Sequence, residues 1–133
     1  MDISKQKSKQ KRDPDFKSVF IVDPIKGERL HLAKLLKQEK FLMMTFERIG
    51  DCLKQNNSIK PDLVIFVLRK DKNEPSQLKN IKKHFKNLHF IILMTSELSE
   101  LNIDELKESG FTSIYKANNQ DMVKNFIYTV MPE

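Results

Sequence analysis

Residues 61 to 68 read PDLVIFVL, so six apolar residues follow Asp62 without interruption. A charged segment, RKDKNEP over residues 69–75, ends the run. An unbroken apolar run of this length is typical of a strand that is buried on both faces, as in a parallel sheet. The sequence therefore predicts a central strand over residues 63–68 of an α/β fold.

Similar apolar runs flank this strand on both sides and alternate with amphipathic segments. The other strands are predicted at 19–22, 41–46, 90–94 and 112–116, and the helices at 27–40, 47–55, 76–86, 102–109 and from 119 or 120 onward. Such alternation indicates right-handed crossovers and a parallel sheet with helices on both faces. Because the half-polar fifth strand suits an edge, we expect the doubly wound, flavodoxin-like strand order 2-1-3-4-5.

The chain has 133 residues, which is enough for one hydrophobic core. Residues 1–16 are polar and basic, and we expect a flexible tail there and a single domain over residues 17–133. The one cysteine, Cys52, excludes an internal disulfide, which favours a reducing cytoplasmic location. No apolar run approaches the ~20 residues of a membrane-spanning helix, and we expect no membrane partner.

Charge is unevenly distributed along the chain, whose formal net charge is +6. Residues 69–86 carry seven basic and two acidic groups, whereas residues 95–133 carry three basic and seven acidic groups. Such asymmetry bears on partners rather than on the fold. The basic tail leaves open a nucleic-acid-binding hypothesis, but the tail lacks interleaved aromatic residues and no DNA-binding module follows it, so this alternative is disfavoured.

Four fragments of the chain resemble a known family. They are FIVD at 20–23, PDLVIF at 61–66, IILMTS at 91–96, and Gly110 with Phe111. Over residues 18 to about 130 the sequence resembles the CheY-like receiver domain of two-component response regulators. The resemblance implies a flavodoxin-like fold and a place in a signalling phosphorelay.

The residues that carry receiver chemistry are mostly replaced. The resemblance places the phosphoacceptor aspartate at Val67, which has no nucleophilic atom. It places the second acid of a magnesium-binding pair at Pro24 and the phosphoryl-pairing lysine at Ala117, while Lys116 is one residue early and should point the opposite way. The predicted degenerate phosphorylation pocket comprises Asp23, Pro24, Val67, Thr95, Lys116 and Ala117.

Two alternatives concern the remaining acids. A phosphoaccepting receiver that uses an unusual acid, Asp71 or Asp62, is the second hypothesis for function. Asp23 could ligate a metal, but a helix cap with Pro24 at the first helical position is the favoured interpretation. The three histidines and Cys52 show no metal-binding spacing. We therefore predict no catalytic residue, no cofactor and no metal, and hence no enzyme.

With no chemistry visible, the sequence favours a function in binding. We expect a phosphorylation-independent pseudo-receiver that docks a basic protein partner, or a second copy of itself, through the fourth helix, fifth strand and last helix. This region is acidic, unlike the rest of the chain. The predicted partner-binding face comprises Glu97, Glu100, Glu105, Glu108, Tyr115, Lys116 and Asp121.

The replacement of acids by apolar residues carries a prediction about stability. Clustered carboxylates repel one another, so restoring an acid near Asp23 should destabilise the fold. We expect Val67→Asp to have a lower Tm than the parent in buffer without Mg²⁺. Thermal melts with and without Mg²⁺ would measure this, and a Tm equal to or above that of the parent would contradict it.

Overall fold

The computed structural model describes residues 16–54, 60–69, 72, 89–95, 104, 107 and 113–131. The strands and helices are β1 (Lys17–Val22), α1 (Lys26–Leu36), β2 (Phe41–Phe46), α2 (Ile49–Lys54), β3 (Leu63–Leu68), β4 (His89–Met94), β5 (Ile114–Ala117) and α3 (Gln120–Val130). The helix predicted at 76–86 lies outside the described residues. Of the helix predicted at 102–109, Asp104 and Lys107 are described, and both are helical and exposed.

All five strands are parallel and form one sheet in the order β2-β1-β3-β4-β5. This confirms the flavodoxin-like order expected from the sequence. The three wholly apolar runs form the central strands, and every residue of β3 is buried. The strand with polar positions, β5, lies at an edge, where an exposed side chain such as Lys116 costs no buried contact.

The sheet carries a hydrophobic cluster on each face, because successive side chains of a strand point to opposite sides. On one face, Phe20 and Phe66 pack with Ile49 of α2. On the other face, Ile21 and Ile65 pack with buried residues of α1 and α3. The described helices thus lie on both faces, as predicted. Burying one such large apolar side chain contributes about 1.5–3 kcal/mol, so these two clusters are the main source of stability.

The helix boundaries differ from the predicted ones at α1 and α2. Helix α1 ends at Leu36, four residues earlier than predicted, and Lys37 has an extended ψ of 135°. Residues 37–40 read KQEK and offer no apolar side chain to the core, so nothing holds them in the helix. The carbonyl of Lys40 instead accepts a hydrogen bond from the Lys17 amide, at 2.9 Å, which leads the chain into β2. Helix α2 (Ile49–Lys54) begins two residues later than predicted.

The carboxylate of Asp62 ties the amino ends of two central strands together. The amide of Ser18 donates to Asp62 Oδ2 at 2.8 Å, and the amide of Asp62 donates to the Ser18 carbonyl at 2.9 Å. Asp62 therefore lies at the amino edge of the sheet, opposite the carboxyl edge that holds Asp23. In the described part of the chain, no helix is long and apolar enough to cross a membrane.

Candidate functional site

The carboxyl edge of the sheet holds an ion pair between the buried Asp23, after β1, and the half-buried Arg69, after β3. Asp23 directly follows β1 and is 1% exposed. Its Oδ1 accepts from Arg69 Nε at 2.7 Å, and its Oδ2 accepts from Arg69 Nη2 at 2.9 Å. Two parallel hydrogen bonds between a guanidinium and a carboxylate form the strongest and most directional ion-pair geometry available to side chains.

Every other polar group of Asp23 is also hydrogen-bonded. Its Oδ1 accepts from the Ile25 amide at 2.9 Å, and its carbonyl accepts from Arg29 Nη1 at 3.1 Å. Its own amide donates to the Phe46 carbonyl at 3.0 Å. One residue thus connects β1, the start of α1, the end of β2 and the segment after β3.

The structure contradicts the expected role of Asp23 as a helix cap. The residue that precedes α1 is Ile25, and no side chain caps the helix, so Pro24 lies outside α1 instead of at its first position. The physical reason is that the Asp23 carboxylate points to Arg69 and to the amide two residues on, which is the hydrogen bond of an Asx turn. Asp23 holds the loop between β1 and α1 without capping the helix.

The ion pair also sets the protonation of Arg69. Hydrogen bonding to Asp23 raises the pKa of the guanidinium, against the opposing effect of burial, and the nearby charges of Asp23 and Glu28 raise it further. A folded-state pKa above the unfolded one stabilises the fold at every pH below the unfolded pKa, which for arginine lies far above neutrality. The contribution of Arg69 to stability is therefore constant through the neutral range.

Val67 and Ala117 lie together in hydrocarbon. Both are 0% exposed and both belong to the hydrophobic cluster on the face covered by α1 and α3. In the strand register Val67 is opposite Leu93, and Leu93 is opposite Ala117, so the three residues form one row across β3, β4 and β5. This row occupies the positions at which the sequence resemblance placed an acceptor and a lysine.

Lys116 and Thr95 do not join this row. Lys116 is exposed and lies opposite Ile92, which belongs to the cluster on the other face, so its side chain leaves the sheet on the side away from Ala117. Thr95 is exposed, and its hydroxyl donates to the Leu68 carbonyl at 2.8 Å. The hydroxyl thus satisfies a backbone acceptor at the end of β3.

A polar cleft opens beside the ion pair at the carboxyl edge of the sheet. Its volume is about 690 Å³. Its described lining consists of one cation, one anion, a hydroxyl and three side-chain amides above two apolar residues: Arg69, Glu28, Thr95, Asn118, Asn119, Gln120, Leu93 and Met94. This edge is where doubly wound sheets place their functional sites.

Several solved structures have a fold similar to that of this chain. A response regulator from Thermotoga maritima is 13% identical, with a TM-score of 0.64 over 89% of this chain and 99% of that one. The response regulator domain of Thermotoga maritima CheB is 17% identical, with a TM-score of 0.61 over 86% and 93% of the two chains. A two-component transcriptional regulator AraC from Clostridium phytofermentans is 15% identical, with a TM-score of 0.53 over 86% and 91%.

The chain has the fold of a response-regulator receiver domain. No sequence profile of a known family and no curated protein sequence matches it. The structural similarity extends over most of the chain, but the sequence identity is only 13% to 17%. The chains share the course of the backbone, and most of their side chains differ. The chemistry of this receiver-like edge therefore has to be judged from its own residues.

The magnesium ion that the receiver resemblance implies does not fit these residues. Mg²⁺ prefers several carboxylate and water oxygens in octahedral arrangement. Here both oxygens of Asp23 accept from Arg69, and neither Pro24 nor Val67 offers a side-chain oxygen. Among the described residues, no three His, Cys, Asp or Glu side chains come together.

Part of the predicted partner-binding face of the receiver fold is described. Tyr115 is half-buried, with its ring 5.1 Å from that of Phe126, while Asp121 is exposed in the first turn of α3. Ile114, the residue before Tyr115, is buried among hydrocarbon. The four glutamates of this face, Glu97, Glu100, Glu105 and Glu108, lie outside the described residues, and so does Asp71.

Arg69 is the site residue that the sequence analysis missed, because it was assigned to a charged loop. A signal was present. In the order 2-1-3, the residues that follow the first and third strands meet at one edge of the sheet. Asp23 lies at that point, and a buried acid needs a cation, which the first residue after β3 supplies.

The ion pair yields a prediction for the receiver fold. Arg69→Met should reduce the free energy of unfolding by about 3–5 kcal/mol, because it leaves a buried carboxylate without its cation. The stability of Arg69→Lys should lie between those of Arg69→Met and the parent, since an ammonium keeps the charge but cannot donate two parallel hydrogen bonds to the carboxylate. Urea unfolding followed by circular dichroism would measure these losses.

Two variants control this experiment. In Asp23→Asn/Arg69→Met neither charge remains, so it should recover a large part of the loss, which a double-mutant cycle quantifies. Arg48→Met removes the pair with Asp51, whose atoms are 3.9 Å apart and whose side chains are 76% and 35% exposed, so it should cost less than about 1 kcal/mol. Equal losses for Arg48→Met and Arg69→Met would refute the role given to the buried pair.

Proposed function

We propose that this chain is a pseudo-receiver, a signalling module that works by binding a protein partner and needs no phosphorylation. One observation carries the proposal: the row of Val67, Leu93 and Ala117 is buried hydrocarbon at the place where a receiver needs a nucleophile and a lysine. Transfer of a phosphoryl group to a protein requires a nucleophilic atom in line with the phosphorus, and an isopropyl group has none.

The arginine supports the same proposal through charge. Phosphoryl oxygens need a divalent cation to neutralise them during transfer, and the pocket acid that would hold it is already neutralised by Arg69. Unlike a bound divalent cation, this guanidinium is covalently part of the chain, so it stays in place when the concentration of divalent cations falls. We infer that the edge stays in one electrostatic state, which suits a constitutive module better than a switch.

We further propose that binding uses the acidic face defined above, in the reducing cytoplasm that the single cysteine favours. Asp121 and the exposed Asp104 are the described acids of residues 95–133, which carry a net charge of −4. Complementary charge raises association rates and selects partners, so a basic protein surface is the expected partner. The chain acts as a binding module and not as an enzyme.

A chain that works without phosphorylation should not gain mass from a phosphoryl donor. After incubation of the full chain with acetyl phosphate and Mg²⁺, the intact mass should be unchanged, because no carboxylate occupies the acceptor position. A receiver of known activity in the same tube confirms that the reagent is competent. A gain of one phosphoryl group that disappears in Asp71→Asn or Asp62→Asn would instead establish the unusual-acid receiver.

The acidic face predicts a loss of partner capture on charge reversal. Immobilised Glu105→Lys/Glu108→Lys should retain basic proteins from a cell extract at least about tenfold less than the parent, since like charges then face each other. The matched control is Glu39→Lys/Glu47→Lys, which reverses two exposed acids elsewhere on the surface. Equal capture by both double variants would remove the case for this face.

A further inference from the structure

The two edge strands of the sheet differ in how well they are protected against pairing with another strand. Strand β5 (Ile114–Ala117) has only four residues and carries the exposed Lys116. Strand β2 (Phe41–Phe46) has six residues that read FLMMTF, without a charge, a proline or a glycine. Short length, charged side chains and prolines are the usual means by which proteins protect an exposed edge. Strand β2 uses none of them.

The hydrogen bonds to β1 show which backbone groups of β2 face outward. The Asp23 amide, directly after β1, donates to the Phe46 carbonyl. Alternate residues of a strand bond to the same neighbour, so the even-numbered residues of β2 bond to β1. The amides and carbonyls of Met43 and Thr45 therefore point away from β1. Within the described part of the chain, no strand pairs with them.

The side chains of β2 are also incompletely covered. All six residues of β2 are half-buried, whereas all six residues of the central strand β3 are buried. The side chains of Met43 and Met44 pack against the hydrophobic clusters on opposite faces of the sheet. A strand added beside β2 would therefore extend both clusters and would bury more hydrocarbon on each face.

Helix α1 packs over β2 and β1, and it carries an exposed apolar side chain beside this edge. Leu30 is 49% exposed, the largest value for a leucine, isoleucine or valine among the described residues. Leu35 lies on the flank of α1 that faces Tyr128 of α3, since both line one cleft. At about 3.6 residues per turn, Leu30 lies on the other side of the buried Leu32, on the flank toward the outer edge.

We propose that β2 pairs edge to edge with β2 of a second copy, antiparallel, about a two-fold axis at Met44. The Phe41 amide already donates to the Gln38 carbonyl at 3.1 Å, so Met43 and Thr45 supply the outward donors of the strand. Centred at Met44, the pairing places Met43 of each copy opposite Thr45 of the other. The amide and carbonyl of both residues then find partners, and none is left over.

The side chains are self-complementary in the same alignment. On one face Leu42 of each copy lies opposite Phe46 of the other, and the two copies of Met44 meet at the axis. Apolar pairs of this kind stabilise antiparallel strands. Because the axis is perpendicular to the sheet, the two α1 helices lie on the same face, and each Leu30 faces the other copy.

Charge also favours a second copy as the occupant. Each end of β2 is flanked by one exposed acid and one exposed base, Glu39 with Lys40 and Glu47 with Arg48. Antiparallel pairing brings opposite ends together, so each group meets a pair that contains its opposite charge. A second copy also presents a strand that its own sheet already holds extended, whereas a free peptide loses entropy on becoming ordered.

The size and symmetry of this contact predict a weak, closed dimer. Two six-residue strands with a few helix side chains bury less than the about 1,200–2,000 Å² of a standard stable interface, so the dimer should dissociate on dilution. Both copies contribute the same surface, and assembly therefore stops at two.

Sedimentation of the full chain tests the dimer. Between about 5 µM and about 500 µM the weight-average mass should rise toward twice the monomer mass and level off there. Since backbone bonds and hydrocarbon carry most of the contact, about 0.5 M salt should change the dissociation constant by less than about threefold. Monomer mass throughout, a mass that rises beyond dimer, or dissociation by salt would each overturn the proposal.

Hydrogen exchange locates the contact on the chain. The amides of Met43 and Thr45 should exchange at least about tenfold more slowly at the highest protein concentration than at the lowest. The amide of Leu42, which faces β1, is the control and should not change. Protection of Met43 and Thr45 at every concentration would mean that part of the same chain covers the edge. That result, or rapid exchange at every concentration, would contradict the pairing.

Two leucines of α1 provide a matched pair of variants. Leu30→Lys should weaken the dimer at least about tenfold, because it places two like charges beside the axis. Leu35→Lys makes the same change on the opposite flank of the helix and should dimerise like the parent. Equal dimerisation of the two variants would refute the assignment of the surface.

A third variant tests the backbone bonds directly. Thr45→Pro removes an outward amide that β1 does not use, and it should leave the chain monomeric. Circular dichroism melts show whether this variant is folded. If it is not, the two leucine variants still decide the question, because both leave the strand unchanged.

This inference goes beyond the proposed function and fails separately from it, because β2 lies at the opposite edge of the sheet from β5 and the acidic face. A monomeric parent that takes up no phosphoryl group would end the dimer proposal and leave the pseudo-receiver intact. A parent that dimerises through β2 but takes up a phosphoryl group would do the reverse.

Discussion

The buried pair of Asp23 and Arg69 is the interaction on which the carboxyl edge of this fold depends. A carboxylate that is 1% exposed is tolerated only when its oxygens are hydrogen-bonded and its charge is compensated. The guanidinium meets both needs at once, at 2.7 and 2.9 Å. Because Asp23 also bonds to Ile25, Arg29 and Phe46, the pair fixes the loops that frame the polar cleft.

In this receiver-like fold, an arginine pairs with the acid that follows β1. Divalent ions exchange with solvent, and acids held close together resist folding until such an ion arrives. The Arg69 guanidinium compensates the charge of Asp23, and Val67, Leu93 and Ala117 form a buried hydrocarbon row near the carboxyl ends of β3, β4 and β5. This arrangement is the basis of the proposal that the chain works without phosphorylation.

The sequence was sufficient to predict the sheet, because the apolar run that marks each strand lies within a few consecutive residues. Six apolar residues in β3, bounded by Asp62 and Arg69, define a buried strand without reference to any neighbour. The predicted end of α1 was wrong by four residues, because residues 37–40 offer no apolar side chain to the core and Lys40 bonds instead to Lys17, which is remote in sequence. The partnership of Asp23 with Arg69 joins residues 46 positions apart, and the sequence analysis treated each of them within its own segment.

The hydrogen bonds of Asp62 have a consequence for strand alignment. Strands made only of Val, Ile, Leu and Phe present similar hydrocarbon at every position, so hydrophobic burial alone discriminates poorly between two alignments shifted by two residues. Asp62 with Ser18 at one end of β1 and β3, and Asp23 with Arg69 at the other, accept only one alignment. A slipped sheet would leave the buried carboxylate of Asp23 and the half-buried carboxylate of Asp62 without these partners, and the cost of doing so fixes the alignment of an otherwise uniform core.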